Sequence, residues 1–165
     1  MNPILIRPAN SADVDTLNRF QQGIVAAERP FDPTLQDGPV QYYDTAQMLA
    51  SDQVQFVVAE CGSQIIGCGF ARIETAKHYL AHSHHGYLGM MYVDPKYRGQ
   101  SVSKRIVDAL KDWCLSKNVT ELRLEVYHDN HSAVKAYEKS GFRPLMTEMR
   151  LSLNDCSPDS LRTPR

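Results

Sequence analysis

The stretch Val93-Asp94-Pro95-Lys96-Tyr97-Arg98-Gly99-Gln100-Ser101-Val102-Ser103 decides how this chain is read, with a helical pattern running on to Lys117. An apolar run over residues 87–93 feeds a turn at Asp94-Pro95. A short loop of small and basic residues follows and opens directly into an amphipathic helix. Val102, Ile106, Leu110, Trp113 and Cys114 share one face of that helix, and Lys104, Arg105, Asp108, Lys111 and Asp112 fall on the other. A helix start leaves backbone N–H groups unpaired and aimed at one point. With an arginine beside them they make an anion site. The loop Arg98, Gly99, Gln100, Ser101, Val102, Ser103 therefore predicts a phosphate-bearing ligand.

Outward from this segment the chain alternates between strand and helix patterns. Residues 4–7 read as a first strand. Asn10 or Ser11 can cap a helix, with Asp13 in its first turn, and Val14, Leu17, Gln21, Ile24 and Val25 carry a helical period to about Ala27. Pro30, Pro33, Gly38 and Pro39 mark a loop, and residues 42–50 suggest a second short helix. Residues 55–60 and 65–74 are strands joined by a turn at Cys61-Gly62-Ser63-Gln64, a hairpin. Residues 77–86 form a polar connection with four histidines. Residues 121–126 alternate as a strand. Asn130 opens another helix, which Ser140-Gly141 ends. Residues 142–144 and 146–153 give a last pair of strands. The order predicts an α+β domain over residues 1–153, with a mixed, mostly antiparallel sheet and helices on both faces. Residues 154–165 are polar, carry two prolines and are expected as a flexible tail.

Composition narrows the class. The chain has 165 residues, 42% of them hydrophobic, enough for one domain with one core. Its net charge is −1, where a general nucleic-acid binder would be basic. No stretch approaches the roughly 20 apolar residues that span a bilayer. The start of the chain lacks a signal-peptide pattern. Cys61, Cys68, Cys114 and Cys156 form no CxxC pair and read as small hydrophobes in a reducing cytoplasm.

Three segments, in this order, resemble the GNAT family of acetyl-CoA-dependent N-acetyltransferases. They are residues 91–103, then Leu122-Arg123-Leu124-Glu125-Val126 followed by Asn130 and Ala133, then Ala136-Tyr137-Glu138-Lys139-Ser140-Gly141-Phe142. The resemblance covers residues 4 to about 153. It implies two central parallel strands, 87–93 and 121–126, that splay apart, with the pantetheine arm of acetyl-CoA in the gap. Met91, Tyr92 and Val93 would pair with that arm, and the pyrophosphate would sit on the loop from Arg98 to Ser103. A splayed strand leaves backbone groups open, and an extended arm with amide bonds satisfies them as an added strand would. One departure is visible. The family pattern has glycine where Ser101 stands, and glycine or alanine at Ser103. A side chain there hinders close approach to phosphate, though a serine hydroxyl can donate to it.

Acetyl transfer to an amine needs a proton removed from the ammonium (pKa about 10), a donor for the oxyanion, and a proton for the departing thiolate. The resemblance implies Tyr137 as the acid. It implies Glu125 as the base, directly or through water, with Glu74 and Tyr87 as alternatives. A backbone N–H near Met91 is the oxyanion donor. Asn130 caps its helix and, in similar enzymes, also contacts the cofactor. Glu28, Phe31 and Asp32 fall between the first two helices, which line the acceptor site in this family; either carboxylate could hold a cationic amine. His78, His82, His84 and His85 read as a solvated loop, not a metal site. Two readings remain: an N-acetyltransferase acting on a small molecule, amino acid or peptide amine, and a non-catalytic acyl-CoA-binding module. The expected partners are the amine, with neither nucleic acid nor membrane, and a second copy through the edge of the last strands.

Overall fold

The computed structural model describes residues 2–154. Five strands form one sheet in the order β1-β2-β3-β4-β5: β1 Ile4–Pro8, β2 Val54–Cys61, β3 Gln64–Thr75, β4 His84–Val93 and β5 Leu122–Arg123. The first three pairings are antiparallel, and β4 with β5 is parallel. The described residues also hold four α-helices: α1 Val14–Glu28, α2 Thr45–Leu49, α3 Val102–Ser116 and α4 His131–Lys139.

Alternation along the strands builds two cores, one on each side of the sheet. Val57, Ala59, Ala71 and Leu88 pack under α3, against Val102, Ile106, Leu110 and Cys114. Phe56, Val58, Cys68, Phe70 and Met90 face the other way, against Leu17 and Phe20 of α1 and Met48 of α2. Helices therefore cover both faces, as the sequence predicts. The entry to α1 is fixed by a reciprocal cap: Asn10 accepts from the Ala12 N–H, and Asp13 accepts from the Asn10 N–H at 2.8 Å. Buried Asp13 also takes both Arg7 guanidinium nitrogens, at 2.9 and 3.1 Å, while the Arg7 Nε reaches Glu60 at 2.6 Å. These bonds tie β1, β2 and α1 together.

The structure departs from the sequence reading after α3. The strand expected over 121–126 is two residues long, and Glu125 and Val126 lie in irregular chain. The pair of strands expected over 142–144 and 146–153 does not form among the described residues. Pro144 withholds an N–H and restrains Arg143, and β5 offers too short an edge to pair against. Met146 and Met149 stand 87% and 89% exposed, so the alternating apolar pattern there is not matched by burial. The edge expected to meet a second copy is absent with those strands. The second helix is shorter than the 42–50 read from sequence, because Asp44 caps it by accepting from the Gln47 N–H. Residues 155–165 of the expected tail lie outside the described residues.

Candidate active site

The site begins where the sheet opens. β4 pairs with β5 only at Gly86 with Leu122 and Tyr87 with Arg123, the first of these braced by the Gly86 N–H on the Glu121 carbonyl at 2.9 Å. From Leu88 to Val93 that side of β4 has no strand beside it among the described residues. Within the open part the backbone is bent. The ladder to β3 slips between Cys68 and Phe70, and Met90 sits at φ +50°. A left-handed residue with a side chain is disfavoured by roughly 1–2 kcal/mol, so its neighbours must hold it there. The Cys68 thiol donates to the Met90 carbonyl at 3.4 Å inside the core. Burial pushes that thiol well above its ordinary pKa, so it stays a donor. The slip takes Met91 out of the regular ladder beside the gap.

The loop at the end of β4 is built by its own local bonds. Asp94 accepts from the Lys96 N–H at 2.9 Å, and Arg98 Nε returns to the Val93 carbonyl at 3.2 Å. Gln100 Nε2 reaches the Lys96 carbonyl at 3.5 Å. Gly99 at φ +77° and Ser101 at φ +62° turn the chain into α3. Ser101 is the residue before the helix, yet its side chain makes no cap. The first-turn N–H groups of Val102, Ser103 and Lys104 thus meet no side-chain cap. The positive φ explains why glycine suits position 101: serine here carries the left-handed strain that glycine would not. Val102 itself is buried under the sheet, so it anchors the loop.

A second cluster joins the end of α1, the chain that follows it and Tyr127. Glu28, at the end of α1, accepts from the Tyr42 hydroxyl at 2.9 Å. Asp32 accepts from the Tyr127 hydroxyl at 2.6 Å, across 95 residues of chain. The rings of Phe31 and Tyr127 stack with centroids 6.3 Å apart. Burial raises the Glu28 pKa, opposed by the Tyr42 bond, and the charge of Asp32 adds to the rise. Hydrogen bonds from Thr34 and Tyr127 hold Asp32 below its ordinary value. Tyr137 of α4 is pushed up to about 12, first by burial and then by the charge of Glu28, so its phenol keeps its proton at neutral pH. Glu125 is exposed, and its charge bears on Tyr43 and Tyr87, which face each other over Phe70.

The residues named from sequence fall into several separate places. Met91, Tyr92, Val93 and the loop from Arg98 to Ser103 follow one another along the open edge. Tyr92 turns its ring onto Phe20, centroids 4.4 Å apart, so only its backbone can face the gap. Glu28, Phe31 and Asp32 do converge, and Tyr137 lies within the field of Glu28. Asn130 caps α4, accepting from the Ala133 N–H at 3.3 Å. Glu74 is set apart: Arg72 clamps it at 2.6 and 2.9 Å, and His85 lies beyond it. The reading of the histidines as a solvated loop fails in part: His84 and His85 belong to β4, the His85 side chain is only 14% exposed, and His82 Nε2 is buried. Tyr42 and Tyr127 were not legible as site residues. Their only signal was proximity, one near Tyr43 and Asp44, the other two positions beyond Glu125.

Comparison with known proteins decides the family. The profile of the Acetyltransferase (GNAT) family matches residues 22–142. The chain belongs to the GNAT acetyltransferase family. An IAA acetyltransferase of Azospirillum brasilense is 28% identical over 96 residues, covering 58% of this chain and 59% of that protein. N-alpha-acetyltransferase 30 of Saccharomyces cerevisiae is 33% identical over 70 residues, 42% of this chain and 40% of that protein. The chain thus spans between two fifths and three fifths of these curated relatives. A predicted acetyltransferase of Clostridium acetobutylicum, solved with acetyl-CoA, superposes with a TM-score of 0.71 at 19% identity, covering 93% of this chain and 99% of that one. At that identity the likeness speaks for the GNAT fold.

The residues present fit the cosubstrate of a GNAT protein. An unpaired strand edge can accept an amide-bearing arm, and an uncapped helix start in a left-handed loop can accept a diphosphate. Among the described residues, no helix is long and apolar enough to cross a membrane.

Proposed function

We propose that this protein transfers the acetyl group of acetyl-CoA to a primary amine by direct attack in a ternary complex. The observation that carries this reading is the open edge of β4, bent at Met90 and ending in the uncapped loop before α3. Acetyl-CoA, when bound, supplies a thioester carbonyl and a thiolate leaving group. The backbone of Met91, Tyr92 and Val93 would pair with the pantetheine amides. Arg98 and the N–H groups from Gly99 to Ser103 would take the diphosphate. Asn130, beyond capping α4, would touch the cofactor.

The remaining roles follow from charge. The N–H of Met91 is offered where negative charge develops. Tyr137 is the acid: its phenol, pushed up to about 12, is a donor at every working pH. Glu125 is the base, exposed and thus able to pass a proton through water; Glu74 and Tyr87 are the less favoured alternatives. Glu28 and Asp32, walled by Phe31, Tyr42 and Tyr127, would hold a cationic acceptor. The acceptor class is an amine of a small molecule, an amino acid or a peptide.

An acceptor screen with acetyl-CoA and detection of free thiol tests this. Thiol release that requires an added amine supports the proposal. Saturable cofactor binding without thiol release under any amine supports the second reading, a non-catalytic acyl-CoA module, to which the strained Ser101 lends some weight.

A further inference from the structure

At the start of β4, two imidazole nitrogens are buried without a partner among the described residues: His82 Nε2 and His85 Nδ1. An unsatisfied buried nitrogen is destabilising, so something is expected to meet it. The two rings lie with centroids 5.8 Å apart at an interplanar angle of 73°. With metal–nitrogen bonds of about 2 Å, two imidazoles sharing one ion have centroids roughly 5–6.5 Å apart. The observed spacing falls in that window.

The second nitrogen of His85 is also accounted for. Its Nε2 lies 3.5 Å from Glu74 Oε2. Glu74 is fixed in turn, since Arg72 Nε and Nη2 both bind its other oxygen, Oε1, at 2.9 and 2.6 Å. A histidine whose far nitrogen faces a clamped carboxylate has its proton placed on that side, leaving Nδ1 as a bare lone pair. This is the outer-shell arrangement that orients and strengthens imidazole ligands. His85 is only 14% exposed, so the ring is held in place. The connection that carries His82 is closed on itself by the Ala76 N–H on the Ser83 carbonyl at 2.8 Å. A cavity of about 750 Å³ lies on the His82 side, lined also by His84, Gln53 and Thr120.

We propose that His82 Nε2 and His85 Nδ1 bind one divalent cation of the zinc class, completed by water, pinning the 76–83 connection to β4. The site is separate from acetyl transfer and does not depend on it.

The test uses the full-length chain with no histidine tag, zinc alone as probe, and competition against a chromophoric chelator. Wild type takes up one zinc with micromolar affinity and melts at a higher temperature in its presence. His82→Ala and His85→Ala each weaken binding by at least about tenfold, as does Glu74→Gln acting through His85. His84→Ala and His78→Ala leave it unchanged. If His85→Ala does not fold, His82→Asn carries the same comparison. Absence of zinc uptake by folded wild type overturns the proposal, as does uptake that survives loss of either histidine. Either result would mean that the two nitrogens are met by water.

Discussion

The two ends of β4 are built on opposite principles. At its start, Gly86 and Tyr87 are flanked on both sides, by β3 and β5. At its far end, Met91 to Val93 have a strand on one side only among the described residues. The closed end satisfies its backbone within the protein and so contributes stability. The open end leaves backbone groups for a ligand and carries its strain, at Met90 and then at Ser101. One strand thus divides between holding the fold and offering a site. Substitutions at the two ends should separate stability from ligand chemistry.

The largest expected effect is at the closed end. A Cβ at Gly86 would lie 2.7 Å from Cys114 Sγ and 2.8 Å from Leu122 Cδ2. Gly86→Val is therefore expected to lower unfolding free energy by about 2–3 kcal/mol in urea titrations, while coenzyme A affinity per folded molecule stays the same. A loss of affinity without a loss of stability would break the division. Next comes Tyr137→Phe, on α4. It should lower turnover by more than about tenfold with coenzyme A affinity and melting temperature little changed; equal turnover would remove Tyr137 as the acid.

Two carboxylates extend the contrast to pH. Arg7 holds Asp13 below its ordinary value, whereas burial raises Glu28 at the end of α1. The Asp13 contribution is fully present above its unfolded pKa of about 3.9 and is lost as pH falls through its lower folded value. The Glu28 contribution runs the other way: it is present below its unfolded pKa and is lost as pH rises through the raised one. Asp13→Asn should cost about 1–2 kcal/mol at pH 7 and flatten the acid limb of the stability profile, Arg7 being one-third exposed. An unchanged acid limb would show that the Arg7–Asp13 pair does not set it. The smallest effect is at Ser101. Ser101→Gly should relieve left-handed strain of about 1 kcal/mol and tighten coenzyme A binding a few-fold by calorimetry. Weaker binding would mean that the serine hydroxyl itself donates to phosphate.

The closed part of the molecule was legible in the sequence because its signals are local. The apolar runs and hairpin turn of β2 and β3, the Asn10 cap and the amphipathic α3 each follow from neighbours along the chain. The loop from Arg98 to Ser103 was legible for the same reason. After Arg123, helix α4 with its Asn130 cap was legible, but the strand pattern was not. Its apolar alternation promised strands, but alternation alone cannot supply a partner edge, and β5 ends after two residues. The bend at Met90 was equally hidden, since nothing in a methionine announces a positive φ. The bonds of Tyr127 to Asp32 and Tyr42 to Glu28 join distant segments, and no spacing in the sequence reports them.

Isothermal titration of the folded chain with coenzyme A and acetyl-CoA tests the central claim most directly, that the open end of β4 and its loop seat this nucleotide. A saturable one-to-one isotherm in the micromolar range, weakened in an Arg98→Ala variant, is the predicted result. No heat from folded protein at millimolar ligand would contradict it.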